Sequence, residues 1–447
     1  MRGVTFEVER PGARCGALIP DKDFRLRSDE LFRPLVSDGP PLVSDLFLLS
    51  ASVYAIDRLV KRSFESAFHG PGRVIRVRAR VSDPDFWSEQ SELLRDILFV
   101  LSGDRWRFDF EKAPPHQWQE SFLESKDTVC LYSGGLDSLA GLAHRLRDGL
   151  NEVTSVTMLH VGRQRARVER HVHTLGRYFG NRVFPVLVPM ALVRPPRLDD
   201  QELSQRCRGF IFTSLGIGAA SATGAERIEV YESGVGALNV PLMGGMSVCG
   251  RTTKGCHPRF MELMTALGTA VLGRKIRFVL PFENKTKGEV VSALKSPALA
   301  ELARTSFSCI HTSPRMKGEP RHCGVCPACI GRRQAFLTAG VEDPSDSYVT
   351  DLFDPGDANA LSEEASAYLK ATLMQVSLLA STPGGLPKQV EQYLRTSEVP
   401  EEEAGGWPRA GAMLQRYRRE WEDIADVAST MGVNWGKWLG QREQVIV

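Results

Sequence analysis

A short apolar run, Val129-Cys-Leu-Tyr132, leads straight into Ser133-Gly-Gly-Leu-Asp-Ser138, and after it Leu139, Leu142, Ala143 and Leu146 recur at helical spacing. A buried strand that turns tightly into an amphipathic helix needs parallel neighbours and helices over both sheet faces. The surrounding chain supplies them. Apolar runs at residues 128–132, 153–160, 183–188, 227–231 and 276–280 alternate with helical patterns at 138–148, 165–179, 203–222, 259–272 and 287–298. This predicts an α/β fold, a parallel doubly wound sheet over residues 127–351, with ligands beyond the carboxyl ends of its strands. Residues 1–126 read as an α+β domain. Leu46, Leu49, Val53, Ile56 and Val60 form a helical stripe, a second helix covers 86–101, and a strand covers 106–110. Between the first helix and the second, Ile75, Val77, Ala79 and Val81 alternate with Arg76, Arg78 and Arg80, the pattern of a half-buried strand. Its arginine row is either a grip on an anionic partner or a solvated face. Residues 352–447 read as a helical region. It has a helix over 361–380, a break at 381–387, and a later stripe of Leu414, Tyr417, Trp421, Ile424 and Val427.

The loop at 133–138 is a candidate phosphate site. Two glycines let the backbone turn and approach a ligand, and the N–H groups that open the helix favour an anion. Ser133 and Ser138 add hydroxyls; Asp137 either caps the helix or holds a cation, and magnesium bridging Asp137 to phosphates would reconcile the charges. No lysine follows the glycines and there is no Gly-x-Gly-x-x-Gly, so neither common nucleotide fingerprint applies. The string resembles the pyrophosphatase (PP) loop of the ATP α-hydrolases, which bind ATP by its pyrophosphate and transfer AMP to an oxygen. On that reading Tyr132, Ser133, Gly134, Gly135, Leu136, Asp137 and Ser138 hold ATP. The alternative is a plain Ser/Gly turn in which Asp137 and Ser138 cap the helix.

Four of the nine cysteines, Cys309, Cys323, Cys326 and Cys329, read C-x13-C-x2-C-x2-C. Four thiolates satisfy tetrahedral Zn²⁺ and leave no position for water, which makes such a site structural. His311 and His322 are possible substitutes for one cysteine, and redox-active cysteines are the alternative to a metal. Cys15, Cys130, Cys207, Cys249 and Cys256 read as core or pocket residues. Lys plus Arg is 56 against 54 for Asp plus Glu, a balance that gives nucleic acid no support as a partner. No run reaches the length of a membrane span, and Met1 to Arg10 lacks an apolar signal core, so the expected location is the cytoplasm.

Together the loop and the cysteine spacing resemble the QueC family, the 7-cyano-7-deazaguanine synthases. The stretch from Cys323-Gly-Val-Cys-Pro-Ala-Cys329 to Phe336, then Ala339-Gly340 to Pro344, is similar to that family's zinc end. Thr286-Lys-Gly-Glu289 resembles its Thr-Lys-x-Glu step, Arg208-Gly-Phe-Ile-Phe212 its Arg-Asn-x-x-Phe step, and Val161-Gly-Arg-Gln-Arg165 stands at its Tyr-Gly-Gln-Arg-His. The resemblance spans residues near 127 to 345. It implies ATP, Mg²⁺ and Zn²⁺ as cofactors and adenylation of a small-molecule carboxylate, 7-carboxy-7-deazaguanine, on the way to a nitrile. Asp137, Ser138 and Lys287 would be the catalytic residues, with Lys287 neutralising phosphate charge. Alternatively, Lys287 is merely exposed beside a Thr286–Glu289 capping box. Arg208 and Arg259 would meet a carboxylate or phosphate, or serve as surface ion-pair residues.

One segment departs. Where the family has Tyr-Pro-Asp-Cys-Arg, this chain has Gly255-Cys-His-Pro-Arg-Phe260 after a glycine- and threonine-rich insertion. The acid that would face a guanine-like edge is missing, which leaves Glu232 or another acid to serve. The layout, with its long front and tail, resembles the QatC-type QueC-like proteins of bacterial anti-phage systems, through Leu46–Leu59 and Ser102-Gly-Asp-Arg-Trp106. That branch implies a protein partner from the same defence operon. The function expected is transfer of a deazaguanine-like acyl group, through its adenylate, to an amine, either ammonia or a partner's N-terminus. Nitrile formation, tRNA modification and a non-catalytic nucleotide-binding scaffold are the alternatives.

Overall fold

The computed structural model describes residues 4–8, 16–18, 22, 24–26, 40–62, 72–114, 127–149, 152–159, 162–192, 202, 204–241, 254–310, 321–361, 363–402, 406–433 and 435. Cys15, Cys249, His311 and the insertion at 242–253 lie outside these residues.

Among the described residues ten strands build two sheets. They are β1 (Val4–Val8), β2 (Gly16–Leu18), β3 (Phe24–Leu26), β4 (Val74–Val81), β5 (Arg105–Lys112), β6 (Thr128–Leu131), β7 (Val153–Leu159), β8 (Val183–Leu192), β9 (Arg227–Val230) and β10 (Arg277–Val279). The larger sheet has the order β10-β9-β6-β7-β8-β3. Its first five strands pair in parallel, and β3 closes the edge antiparallel to β8. Every residue of β6 and β7 is buried, as a sheet covered on both faces requires. The α/β expectation holds, including a helical C-terminal region. The strand order reverses beside β6, the type of position where open α/β sheets bind ligands.

The smaller sheet has the order β2-β1-β4-β5. Here the arginine row of β4 finds partners one strand over: Arg76 lies 3.5 Å from Asp109, and Arg78 and Arg80 lie 3.7 and 3.4 Å from Glu111. All these side chains are about half exposed, so the row is a solvated face neutralised by β5. Two helix expectations for residues 1–126 need correction. Helix Pro41–Leu59 is buried on all sides from Val43 to Asp57 rather than along one stripe. Its other faces carry Ser50, Ala51, Ser52 and Ala55, which are small enough to pack, and the buried Asp45 accepts from Ser82 N–H at 2.8 Å and Trp87 Nε1 at 3.0 Å. The helix expected over 86–101 is two, Pro84–Glu89 and Ser91–Ser102.

The chain divides into two compact units, one of residues 1–133, 150–230 and 249–280, the other of 134–149, 231–248 and 281–447. Both sheets belong to the first. The second holds helix Leu136–Asp148, the cysteine cluster and the C-terminal helices Glu363–Ala380, Lys388–Thr396 and Pro408–Thr430. Its core gathers Leu369, Leu373, Met413, Leu414, Trp421 and Ile424. Val427 does not share that stripe; it is half exposed and Ala428 is buried instead, because the helix turns 100° per residue and the stripe drifts. The helix expected over 287–298 stops at Val291, passes through a 3₁₀ turn, and restarts at Pro297, whose ring suits a first helical position. Among the described residues no helix is long and apolar enough to cross a membrane.

Candidate active site and metal centre

The loop after β6 turns at Gly134, whose φ of +75° favours glycine. Gly135 is the N-cap of helix Leu136–Asp148, so no side-chain oxygen caps that helix from its own loop. Ser308 Oγ stands 3.4 Å from the Leu136 N–H, and Ser138 Oγ donates to the Gly135 carbonyl at 3.0 Å. In the first unit, the Ser133 carbonyl accepts from Gln164 Nε2 at 3.2 Å. Tyr132 turns its ring into the core. Its hydroxyl lies 2.6 Å from His171 Nδ1 and its N–H donates to the Val156 carbonyl. Burial, helped by Arg167 and Arg170, pushes His171 down to about 3, so the imidazole is neutral.

Three charged groups from separate segments meet in the second unit. Lys287 Nζ is 2.6 Å from Asp137 Oδ2, with both side chains mostly buried. Asp137 Oδ1 is buried with no hydrogen-bond partner among the described residues. Glu232 is the third member. Burial first, and then the Asp137 carboxylate, push its carboxyl up to about 8. Burial acts to lower Lys287, but Asp137 and Glu232 outweigh it and the pKa is raised. Glycine keeps Glu232 in place: a Cβ on Gly236 would stand 2.2 Å from Glu232 Oε1. The capping box is present, but Lys287 is not merely exposed beside it. Thr286 Oγ1 accepts from the Glu289 N–H at 3.1 Å and Glu289 Oε2 from the Thr286 N–H at 2.8 Å, a complete capping box, while Lys287 inside it is ion-paired.

The remaining candidates belong to the first unit. Arg208 opens helix Arg208–Thr223 and is exposed. Arg259 Nη1 pairs with Glu262 at 2.8 Å, one helical turn on. Next to it His257 is buried as the N-cap of helix Pro258–Leu272, accepting the Arg259 N–H at 3.3 Å.

Sγ atoms of Cys309, Cys323, Cys326 and Cys329 all lie within 4.8 Å of one another. Sulfurs at ~2.3 Å from a tetrahedral zinc stand about 3.8 Å apart; Cys323 and Cys329 are separated by 3.8 Å. The residues therefore fit a four-thiolate metal site. Gly324, at φ +85°, is required in the turn, since a Cβ there would fall 1.7 Å from the Thr350 carbonyl oxygen. Cys326 caps helix Pro327–Ala339 and Cys329 sits in its first turn. His322 is not one of the converging set; its Nε2 stands 3.4 Å from the Ser308 N–H. The segment that delivers Cys309 also flanks the loop, through Phe307 N–H at 3.5 Å from the Gly134 carbonyl and through Ser308. Fully buried Arg332 pins that segment, donating to Ser306 Oγ at 2.7 Å and the Ala303 carbonyl at 3.2 Å.

Residues 243–340 match the family model described as "Queuosine biosynthesis protein QueC". The chain is 30% identical to 7-cyano-7-deazaguanine synthase 1 of Sphingopyxis alaskensis over 246 residues, 50% of this chain and 99% of that protein. The chain belongs to the QueC family. A 7-cyano-7-deazaguanine synthase of Thermoplasma acidophilum is 27% identical over 231 residues, again 50% of this chain and 92% of the relative.

This QueC-family chain also carries site residues that sequence patterns did not expose. Ser308 and Arg332 support the loop from the cysteine segment. Glu420 and Arg416, on the last described helix, bond to Thr286 and Glu289 around Lys287. Arg332 did carry a signal, a pair of arginines that begins three residues after the last cysteine of the motif. The glutamate and arginine of the tail look like any solvated helix face until the fold is known.

Proposed function

We propose that the protein is an ATP-dependent synthase that adenylates a small carboxylate of the deazaguanine class and passes its acyl group to an amine. The observation that carries this is the Asp137–Lys287 pair at the start of the helix after the glycine turn, with Asp137 Oδ1 left unpartnered. Two buried carboxyls, Asp137 and Glu232, close enough to repel one another and served by a single ammonium, suit a divalent cation. Asp137 would hold magnesium, which when bound screens the negative charge of the triphosphate. The N–H groups at residues 135–137 and the Ser133 and Ser138 hydroxyls would bind the pyrophosphate end, and Lys287 would neutralise the charge that grows as it leaves. The substrate's carboxylate oxygen attacks the α-phosphorus; the bond to the bridging oxygen breaks, and pyrophosphate departs with its electron pair. The amine nitrogen then attacks the acyl carbon, AMP departs, and the nitrogen loses a proton. Glu232 would face the ring N–H and amino donors of the base. Zinc on the four cysteines would be structural, holding the segment that flanks the loop. The setting would be the reducing cytoplasm, where thiols persist.

The amine remains the open term. The relatives' printed name, 7-cyano-7-deazaguanine synthase, supports ammonia as donor and a nitrile as end product. The half of this chain outside those matches supports a protein acceptor, because ammonia needs no docking surface, and with it the QatC-like role in an anti-phage operon. The test is incubation with MgATP and 7-carboxy-7-deazaguanine, with ammonium or with the co-expressed neighbouring protein. AMP and pyrophosphate are expected, and a mass shift on the neighbour would decide the acceptor. Release of ADP would overturn the proposal.

A further inference from the structure

The helix that carries Lys287 is five residues long, Lys287–Val291, too short to hold itself in register. Its capping box depends on one hydroxyl. Thr286 Oγ1 accepts the Glu289 N–H at 3.1 Å while donating its proton to Glu420 Oε1, so Glu420 orients the lone pair that the cap uses. Glu420 is itself fixed, since its Oε2 accepts from Gln334 Nε2 at 2.6 Å. One turn earlier on the same helix, Arg416 Nε donates to Glu289 Oε1 at 2.7 Å and its Nη2 donates to the Asn284 carbonyl at 2.6 Å. The segment from Asn284 to Glu289 is thus gripped at both ends, with Lys287 between the grips. Packing there is close: a Cβ on Gly288 would stand 3.1 Å from Glu420 Oε1 and 2.5 Å from Thr338 Cγ2.

We propose that Glu420 and Arg416 are positioning residues, through which the C-terminal helix Pro408–Thr430 sets the Lys287 ammonium against Asp137. The helical tail is then part of the site's machinery rather than an appendage. Its consequence for catalysis rests on the reading of Lys287 as the phosphate-charge partner.

Competitive acetylation of the full chain, read by mass spectrometry, reports Lys287 directly, with the exposed Lys295 and Lys388, both outside the gripped segment, as internal controls. In E420A, Lys287 labelling should rise about tenfold over those controls, while MgATP affinity by calorimetry falls about tenfold. E420Q, which keeps the shape and an acceptor oxygen, should recover most of both. R416A should give a smaller rise. E420D keeps the charge but withdraws the oxygens by one methylene, and it carries the test if E420A does not fold. Lys287 labelling unchanged in both E420A and E420D would overturn the proposal. If labelling rises but MgATP affinity matches wild type in E420A and in K287A alike, the positioning role stands and the proposed phosphate role of Lys287 falls.

Discussion

Each compact unit buries a cluster of charges, and the two clusters are finished to different degrees. In the first unit Asp57, Arg62, Arg73 and Asp104 are almost wholly removed from solvent. Asp57 Oδ1 accepts from Arg62 Nη2 at 2.8 Å and Arg73 Nη2 at 2.5 Å, while its Oδ2 takes the Cys207 N–H at 3.1 Å. Asp104 Oδ2 accepts from both arginines at 2.6 Å, and its Oδ1 takes the Arg73 N–H at 2.9 Å. Burial would raise Asp57, but the two guanidiniums and the N–H bonds outweigh it and the pKa is lowered. The second unit's cluster is smaller and incomplete. Asp137 has one ion pair and one orphaned oxygen, and Glu232 is pushed towards its neutral form. A cluster with every carboxylate oxygen occupied stabilises a fold and has little capacity left for a ligand. A cluster with a spare oxygen and a displaced titration is built for something that is bound later.

The sharpest break of this contrast is Asp57→Ala. It leaves two buried arginines to share Asp104, with only Glu202, 3.9 Å from Arg62, in further support, and breaking a buried pair costs about 3–5 kcal/mol. Urea unfolding should show that loss; a change below about 1 kcal/mol would mean that the closed cluster is dispensable. Asp137→Ala should do the reverse. Its melting temperature should stay close to wild type, because Glu232, relieved of the neighbouring Asp137 carboxylate, is left to balance the Lys287 ammonium. MgATP-dependent pyrophosphate release should fall by at least ~100-fold, the scale of one removed transition-state electrostatic contact. Parallel losses of stability in the two variants would erase the distinction.

What could be read in the sequence follows the distance along the chain over which each signal acts. The parallel sheet was legible because strand and helix periodicities are local. So were the glycine turn and the four cysteines, whose ligands fall within a stretch of 21 residues, 309–329. The meeting of Asp137 with Lys287, 150 positions later, had no local trace and came from the family resemblance alone. The grip of Glu420 on Thr286, 134 positions away, had no trace at all. Helix Pro41–Leu59 was misread in its burial for a related reason. A regular apolar stripe hides the fact that serine and alanine on the other faces also pack, and that Asp45 and Asp57 find donors in distant segments.

A smaller effect tests the open cluster through its pH dependence. Glu232 has a folded-state pKa of about 8, above the value of ~4.3 expected in an unfolded chain. Between those values the folded state binds more protons than the unfolded one, so stability falls as pH rises. The contribution is fully present below about pH 4 and is lost as pH passes through about 8. Glu232→Gln removes the titration while keeping the size, so its melting temperature should decline less than wild type between pH 5 and 8.5, on the order of a few degrees. Added magnesium should also flatten the wild-type slope if the cation binds between the carboxylates. Identical slopes in variant and wild type would place Glu232's carboxyl in ordinary solvent and remove it from the cluster.

The smallest expected change lies on the β4 arginine face, which provides the scale for charges that are neither closed nor open. Arg78 and Glu111 are about half exposed and 3.7 Å apart, and exposed pairs of this kind contribute roughly 0–1 kcal/mol. The apolar side of the same strand, with Ile75, Val77, Ala79 and Val81 fully buried, already accounts for its place in the sheet. Arg78→Ala should therefore shift urea stability by no more than about 0.5 kcal/mol, and 0.5 M salt should abolish even that difference, since screening at that strength acts within about 4–5 Å. MgATP affinity should be unchanged. If Arg78→Ala instead weakened binding of an acidic partner protein without altering stability, the row would count as a third kind of charge cluster, paired within the chain yet available to another. The contrast between closed and open clusters would then have to be drawn by what each releases on binding rather than by pairing alone.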